Sequence, residues 1–582
     1  MIRLLPPTLS LLVLATAAEA QTLKVSPALA ERLSDGETVD VLAVFDEYPD
    51  LSGAYALGDK AAKGDYVFAA LTQYRQGYRP LLDTLAARGI GYRELWSAGA
   101  LYLPDATASL LDVLEDAGAG LTLAPSDAAP LREVDRPAEV GGRAVQGVTW
   151  GLDFIGAREV WASGVAGEGV VIGGQDTGYD WDHPALITTY RGYVPAGDSA
   201  RHDYNWYDAV KRRSPLNQDS DNPCGYNTTA ACDDGSHGTH TMGTMTGHAG
   251  GDTIGVAPAA EWIGCRNMDR GDGTPQQYLE CFQWFLAPTD TDGDAPRPEL
   301  APDVIANSWY CPLSEGCDSA TYPAFERAVA ALRAAGVVVV VSAGNDGPAC
   351  NTTNEIPRIV EGVIAVAAHD SEGRIANFSS RGGDDPSTWP TLAAPGVAVR
   401  SAVPPQGYAD FNGTSMAGPH VAGVVALMIS ANPALRGQVD TIAALLLRSA
   451  RPQAAPSSSS CGVALASDAN PNPVYGHGYL DAAAAVALAR GGAGASPVAA
   501  EGTASAFVDA APNPVGALLT LRTGAGAAGA SLTVFDAAGR LVAQRLLSGE
   551  RSELVTADWA PGVYLWRVAG PAGVASGRVV KD

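Results

Sequence analysis

Gly413-Thr414-Ser415-Met416-Ala417-Gly418-Pro419-His420-Val421-Ala422-Gly423 is the stretch on which the reading of this chain turns. A polar turn runs at once into small apolar residues, 415–430, which predict a buried helix. Pro419 is expected in the first turn, where a missing N–H costs little. Ser415 then sits at a helix N-terminus, beside unpaired N–H groups and the positive end of the helix dipole. A serine there either caps the helix or attacks a carbonyl, and for a lone serine capping is the commoner role.

The balance changes when partners are sought. A serine nucleophile needs a base, a group that orients the base, and an oxyanion donor. Asp176-Thr177-Gly178 follows an apolar run, 170–174, as a carboxylate at the end of a buried strand would. His237-Gly238-Thr239-His240 opens a segment of small residues, and Ser342-Ala343-Gly344-Asn345 follows a second buried strand, 337–341. Strand ends and helix starts are where open α/β sheets place their sites.

DTG, HGTH, SAGN and GTSMAGPHVAG, in that order, resemble the subtilisin-like serine protease family, the subtilases, and within it the bacillopeptidase F-like branch. The resemblance spans roughly residues 150–490. It implies an α/β fold with a doubly wound, mainly parallel sheet. It also implies a catalytic triad of Asp176, His237 and Ser415, with Asn345 in the oxyanion hole. The segment Ser308-Trp309-Tyr310 corresponds to the family's substrate-binding wall. Small residues are usual there, so bulky Trp309 and Tyr310 are expected to narrow or reshape the pocket. His240, one turn from His237, reads as structural. The DTG triplet alone also occurs in aspartic proteases, but no second DTG or DSG is present.

The 582 residues suffice for two or three domains. A net charge of −26 argues against nucleic acid or an anionic membrane as partner. Arg3, the apolar residues 9–14 and Ala18-Glu19-Ala20 read as a secretory signal, 1–20. No other run is apolar enough to predict a membrane span. The eight cysteines all lie in the protease-like region, and an even number in an exported chain points to disulfides. Cysteine positions alone do not dictate connectivity. Short loops favour Cys224–Cys232 and Cys311–Cys317, then Cys265–Cys281, which leaves Cys350 and Cys461.

Residues 21–143 read as a separate β-α-β-β-α-β module of ferredoxin-like type. Before a subtilase domain it resembles the family's propeptide, an inhibitor, with processing expected in the polar segment 125–145. The competing reading is a permanent accessory domain. The catalytic domain is placed at 144–490 and a Gly-, Ala- and Pro-rich linker at 491–502. Residues 503–582 read as a small β-sandwich. Their PNP, LTVFDAAGR and WAPGVYLWRV stretches resemble the C-terminal sorting tail of type IX secretion substrates. A substrate-binding β-module is the alternative.

The expected product is a secreted, self-processed, monomeric serine endopeptidase. Its partners would be polypeptide substrates, its own propeptide and, through the tail, a secretion machinery. The alternative is a silent subtilase scaffold that binds at a surface. No redox or organic cofactor is implied. Many relatives hold calcium through an Asp where this chain has Ala185. Asp219 with Asp221, and Asp290, Asp292 and Asp294, leave calcium open, although neither loop has the EF-hand's twelfth-position Glu. Solvated acidic loops are the plainer reading, and no metal ligand is assigned.

Overall fold

The computed structural model describes residues 23–131, 147–217, 222–456, 461, 470–491, 508–511, 518–523, 531–536, 541–546, 551–557, 559, 562–570 and 573–581. The expected signal, residues 132–146, Asp219, Asp221, nearly all of the linker and the Pro512-Asn513-Pro514 turn lie outside these described residues. The chain forms two compact units, Met1–Ala493 and Gly494–Asp582.

A seven-stranded, wholly parallel sheet is the centre of the first unit. Its order is Trp206–Asp208, Glu261–Arg266, Val171–Asp176, Val304–Asn307, Val338–Ser342, Ile364–His369 and Leu392–Pro395. Val338–Ser342 reads VVVVS and is buried throughout, as a strand covered on both faces requires. Its side chains alternate between two cores: Val338 and Val340 join one, and Val339 and Val341 the other. The helices His237–Thr246, Thr414–Ala431 and Ala482–Gly491 fill the first face. Pro275–Leu286 and Tyr322–Ala334 fill the second. Strand order reverses between Val171–Asp176 and Val304–Asn307, the kind of switch point beyond whose strand ends open α/β sheets place their sites.

The helix bearing Ser415 differs from expectation in one respect. It begins at Thr414, so Pro419 lies inside it, beyond the first turn. Proline removes the N–H that would bond the carbonyl four residues back, that of Ser415. The Ser308 hydroxyl supplies the missing donor, 3.0 Å from that carbonyl. This helix is long and apolar enough to cross a membrane, but 89% of its window is buried, which makes it a core helix.

The N-terminal module is a five-stranded sheet in the order Leu23–Val25, Leu121–Pro125, Val39–Phe45, Ala100–Ala106 and Arg93–Leu95. The helix Lys60–Gly77 was not legible beforehand, because it buries only Lys63, Gly64, Val67 and Leu71 and carries no apolar stripe. Within Val39–Phe45, Val41, Ala43 and Phe45 face the module's own core. Leu42 and Val44 instead pack with Phe282, Phe285, Phe325 and Leu332 of the second sheet face. Buried polar contacts add to this apolar seam. Lys60 Nζ lies 3.1 Å from Asp303 Oδ1, and Lys63 Nζ donates to the Gly437 carbonyl at 2.6 Å.

The second unit holds a three-stranded and a four-stranded sheet. Leu519, Leu521 and Leu554 from the first share one core with Leu532, Val534, Tyr564, Trp566 and Val579 from the second. The four disulfides are Cys224–Cys232, Cys265–Cys281, Cys311–Cys317 and Cys350–Cys461, the pairing that loop length favoured.

Candidate active site

Asp176 ends its parallel strand at the sheet's switch point, with its side chain buried. Its Oδ1 lies 2.7 Å from His237 Nδ1 and also accepts the Thr177 N–H at 2.8 Å. Oδ2 is 3.4 Å from the Thr241 hydroxyl. The Asp–His contact is what orients an imidazole and sets its tautomer.

Local geometry holds His237 at the first position of its helix. Ser236, just before it, has a φ of 67°, a strained value for a residue with a side chain. Asp233 holds that turn: its Oδ1 accepts the N–H groups of Gly235 and Ser236, and its Oδ2 that of Thr239. The Thr177 hydroxyl donates to Asp233 and accepts from Gly238 N–H. Burial pushes the Asp233 carboxyl up, and these donors oppose the shift. Burial and the neighbouring Asp182 carboxyl push Asp180 up to about 7. Gly178 has a φ of 113°, and a β-carbon there would lie 1.9 Å from the Cys232 carbonyl oxygen, so only glycine fits this crossing. The capping role of Asp233 was missed in the sequence, although Asp233-Asp234-Gly235-Ser236 before a helix is a capping signal.

Ser415 lies in the first turn of its helix, which packs on the His237 helix. Its Oγ donates to the Ser308 carbonyl at 3.2 Å. The Thr414 N–H and hydroxyl donate to Asn345 Oδ1 at 3.0 and 2.9 Å. That pairing assigns the Asn345 oxygen to Thr414 and presents its amide as the donor. Ser308, Trp309, Tyr310, Asn345 and Ser415 line one cavity together with Leu131, Ser342, Gly344 and Thr414.

Trp309 does not narrow this cavity with its ring as expected. The ring is 2% exposed and stacks on Tyr278 at 3.9 Å, because the apolar core behind the wall offers it more burial than the cleft does. Tyr310 stays at the cleft, where its hydroxyl donates to the Pro130 carbonyl at 3.4 Å. His240 is structural: its Nε2 lies 2.9 Å from the Val399 carbonyl, and its ring stacks on Phe411.

The acidic loop at 290–294 is closed by its own hydrogen bonds. Asp290 Oδ1 accepts the Asp294 N–H, and the Asp290 N–H donates to the Asp294 carbonyl, so the loop closes on itself. Among the described residues no three His, Cys, Asp or Glu groups converge as ligands. Ala185 is wholly buried among apolar neighbours.

Comparison with known proteins agrees with this geometry. The profile of the subtilase family matches residues 167–478. That of the secretion system C-terminal sorting domain matches residues 510–582 and marks an exported protein of the extracellular space or cell surface. The chain is 38% identical over 362 residues to bacillopeptidase F of Bacillus subtilis, which covers 60% of this chain and 22% of that protein's length. It is 32% identical over 294 residues to subtilisin DY of Bacillus licheniformis, covering 50% of this chain and 87% of that one. With subtilisin E of Bacillus subtilis the identity is 29% over 291 residues, 50% of this chain and 62% of that one. With its parallel sheet, its Asp176–His237 contact and a family match over more than half its length, the chain belongs to the subtilase family of serine peptidases.

Proposed function

We propose that the protein is a secreted serine endopeptidase made as a self-processed zymogen. The observation that carries this is the 2.7 Å contact between buried Asp176 and His237, beside the crevice that Ser415 lines. In this reading Ser415 Oγ leaves the Ser308 carbonyl, passes its proton to His237 and attacks the scissile carbonyl. Asp176 holds the imidazole tautomer and stabilises the imidazolium. The Asn345 amide and the Ser415 backbone N–H receive the oxyanion, and His237 then protonates the leaving amine. Every group comes from one chain, so the reaction needs no second copy.

The N-terminal module acts as an inhibitor and folding aid in this proposal. Four of its strands, Leu121–Pro125, Val39–Phe45, Ala100–Ala106 and Arg93–Leu95, have the antiparallel order of a ferredoxin-like sheet. Support for the inhibitory role comes from the chain just after that sheet, which reaches the candidate cleft. The two C-terminal sheets share one core, which supports a β-sandwich that serves sorting. No step needs a metal or an organic cofactor.

The test follows intact mass over time for the full chain and for Ser415→Ala. Loss of the N-terminal module from wild type alone supports a live triad. If both stay full length, a fluorophosphonate added to externally trimmed wild type decides the matter. An unlabelled serine would favour the silent binding scaffold.

A further inference from the structure

The chain seats part of itself in the candidate cleft, and the wall that holds it is a tight hairpin. Met268–Asp269 pairs antiparallel with Asp272–Gly273, which in turn pairs antiparallel with Ala129–Pro130. The Leu131 N–H donates to the Gly271 carbonyl at 2.7 Å. Leu131 also lines the cavity that holds Ser308, Asn345 and Ser415. A peptide held in this way is an added strand, and its main-chain bonds set its register.

The hairpin turns through Arg270 and Gly271, whose φ values are 52° and 92°. Two positive values suit a two-residue hairpin turn, but they strain a residue with a side chain, such as Arg270. Such a turn keeps its shape only where its surroundings fix it. Asp234 does this. Its Oδ1 accepts the Arg270 N–H at 3.0 Å, one residue before the carbonyl that receives Leu131. Its Oδ2 accepts from Asn222 Nδ2 at 2.6 Å and from Arg266 Nη1 at 3.2 Å. The Asn222 amide also donates to Asp269 Oδ1 at 2.6 Å, in the first arm of the hairpin. Arg266 itself is held by both oxygens of Asp208.

Only a carboxylate meets all three donors. An asparagine has one acceptor oxygen, and its NH2 would face either the Arg270 N–H or the Asn222 and Arg266 donors. The Asp234 side chain is wholly buried, so a lost bond leaves a buried donor unpaired. Burial pushes its carboxyl up to about 7, while Arg266, Asn222 and the Arg270 N–H draw it down, so it is ionised above neutral pH. The adjacent Asp233 serves the His237 turn instead, through Gly235, Ser236 and Thr239. Two neighbouring carboxylates thus hold two different parts, one the catalytic turn and the other the peptide wall.

We propose that Asp234 is a positioning residue: it holds the Arg270–Gly271 turn in the shape that binds an extended peptide, and so sets how tightly substrate is held without touching it. The claim about substrate rests on the peptidase reading. The hold on the chain's own segment at 129–131 does not.

Hydrogen exchange in the Ser415→Ala full chain reads that hold directly. Adding Asp234→Asn is expected to speed exchange of the Leu131 N–H by about tenfold and to leave the Val338–Ser342 strand unchanged. Kinetics then use the processed enzyme, counted by fluorophosphonate labelling, with casein as substrate. Asp234→Asn is expected to raise KM about tenfold and to change kcat by less than about threefold. The rate of labelling by the fluorophosphonate, a small probe that does not reach the wall, should also change by less than about threefold. Asn222→Ala, at a half-buried position, is the second variant if the first does not fold, and it is expected to act in the same direction. Unchanged Leu131 exchange, an unchanged KM, or a fall in kcat and labelling as large as the rise in KM overturns the proposal. Wild type that takes no label sinks the peptidase reading, and the exchange rates then decide the role of Asp234 at the turn.

Discussion

Ser308 and Ser415 exchange hydrogen bonds: the Ser308 hydroxyl donates to the Ser415 carbonyl at 3.0 Å, and the Ser415 hydroxyl to the Ser308 carbonyl at 3.2 Å. The pair ties the substrate wall to the start of the serine helix. It also satisfies a buried carbonyl that Pro419 leaves without its helical donor. Ser308→Ala is expected to destabilise the protein by about 1–2 kcal/mol. Thermal melting in a Ser415→Ala background checks this without self-digestion, and Ser308→Thr should restore part of the loss. An unchanged melting temperature would mean that the carbonyl finds another donor.

Asp176→Asn keeps the size of the side chain and removes its charge. Turnover is expected to fall by roughly 10⁴-fold, because the imidazole then favours the wrong tautomer. Kinetics on a chromogenic peptide, with melting to confirm the fold, would show it. A loss below tenfold would remove Asp176 from the mechanism.

Asn345→Leu deletes the amide that Thr414 orients. The expected result is a roughly 100- to 1,000-fold loss in kcat with KM little changed. A rise in KM at constant kcat would instead make Asn345 a binding residue.

Two histidines away from the triad predict acid sensitivity. Burial lowers both His369 and His420 to about 4 from an ordinary 6.5. The unfolded chain therefore binds protons below pH 6.5 that the folded chain refuses. Their contribution is complete above pH 6.5 and is lost as pH falls towards 4, by up to ~3 kcal/mol per histidine. Melting of Ser415→Ala between pH 7 and 4 should show the fall, and adding His420→Gln should flatten it. Equal slopes with and without His420 would exclude it as a cause.

Cys350–Cys461 spans 111 residues and closes the longest of the four disulfide loops. Replacing both cysteines with serine should cost more than opening Cys311–Cys317, with an upper bound of about 4–5 kcal/mol. Paired melts of the two double variants rank them, and the reverse order would mean that native strain outweighs chain entropy.

Much of this architecture is legible residue by residue. Buried valines at 338–341 dictate a central strand, and the apolar run after Ser415 dictates a core helix. Asp176, His237, Asn345 and Ser415 stand out because each polar group abuts such an element. Loop length alone favours Cys224–Cys232 and Cys311–Cys317.

Other features exist only once the chain has folded. Periodicity shows which face of a strand is buried but not which strand lies beside it, so the reversal beside Asp176 needed long-range pairing. Whether Trp309 faces the cleft or the core was decided by Tyr278, 31 positions earlier, which offers the ring a stacking partner. The buried Arg358 meets Glu355 and Asp346 through a bend that no local pattern announces. The register of Ala129–Pro130 on Asp272–Gly273 links residues more than a hundred positions apart. Local sequence chooses elements and their buried faces, because dihedral preference and burial act within a few residues. Neighbours and registers come from contacts between distant segments, and those are decided only by the packing of the whole.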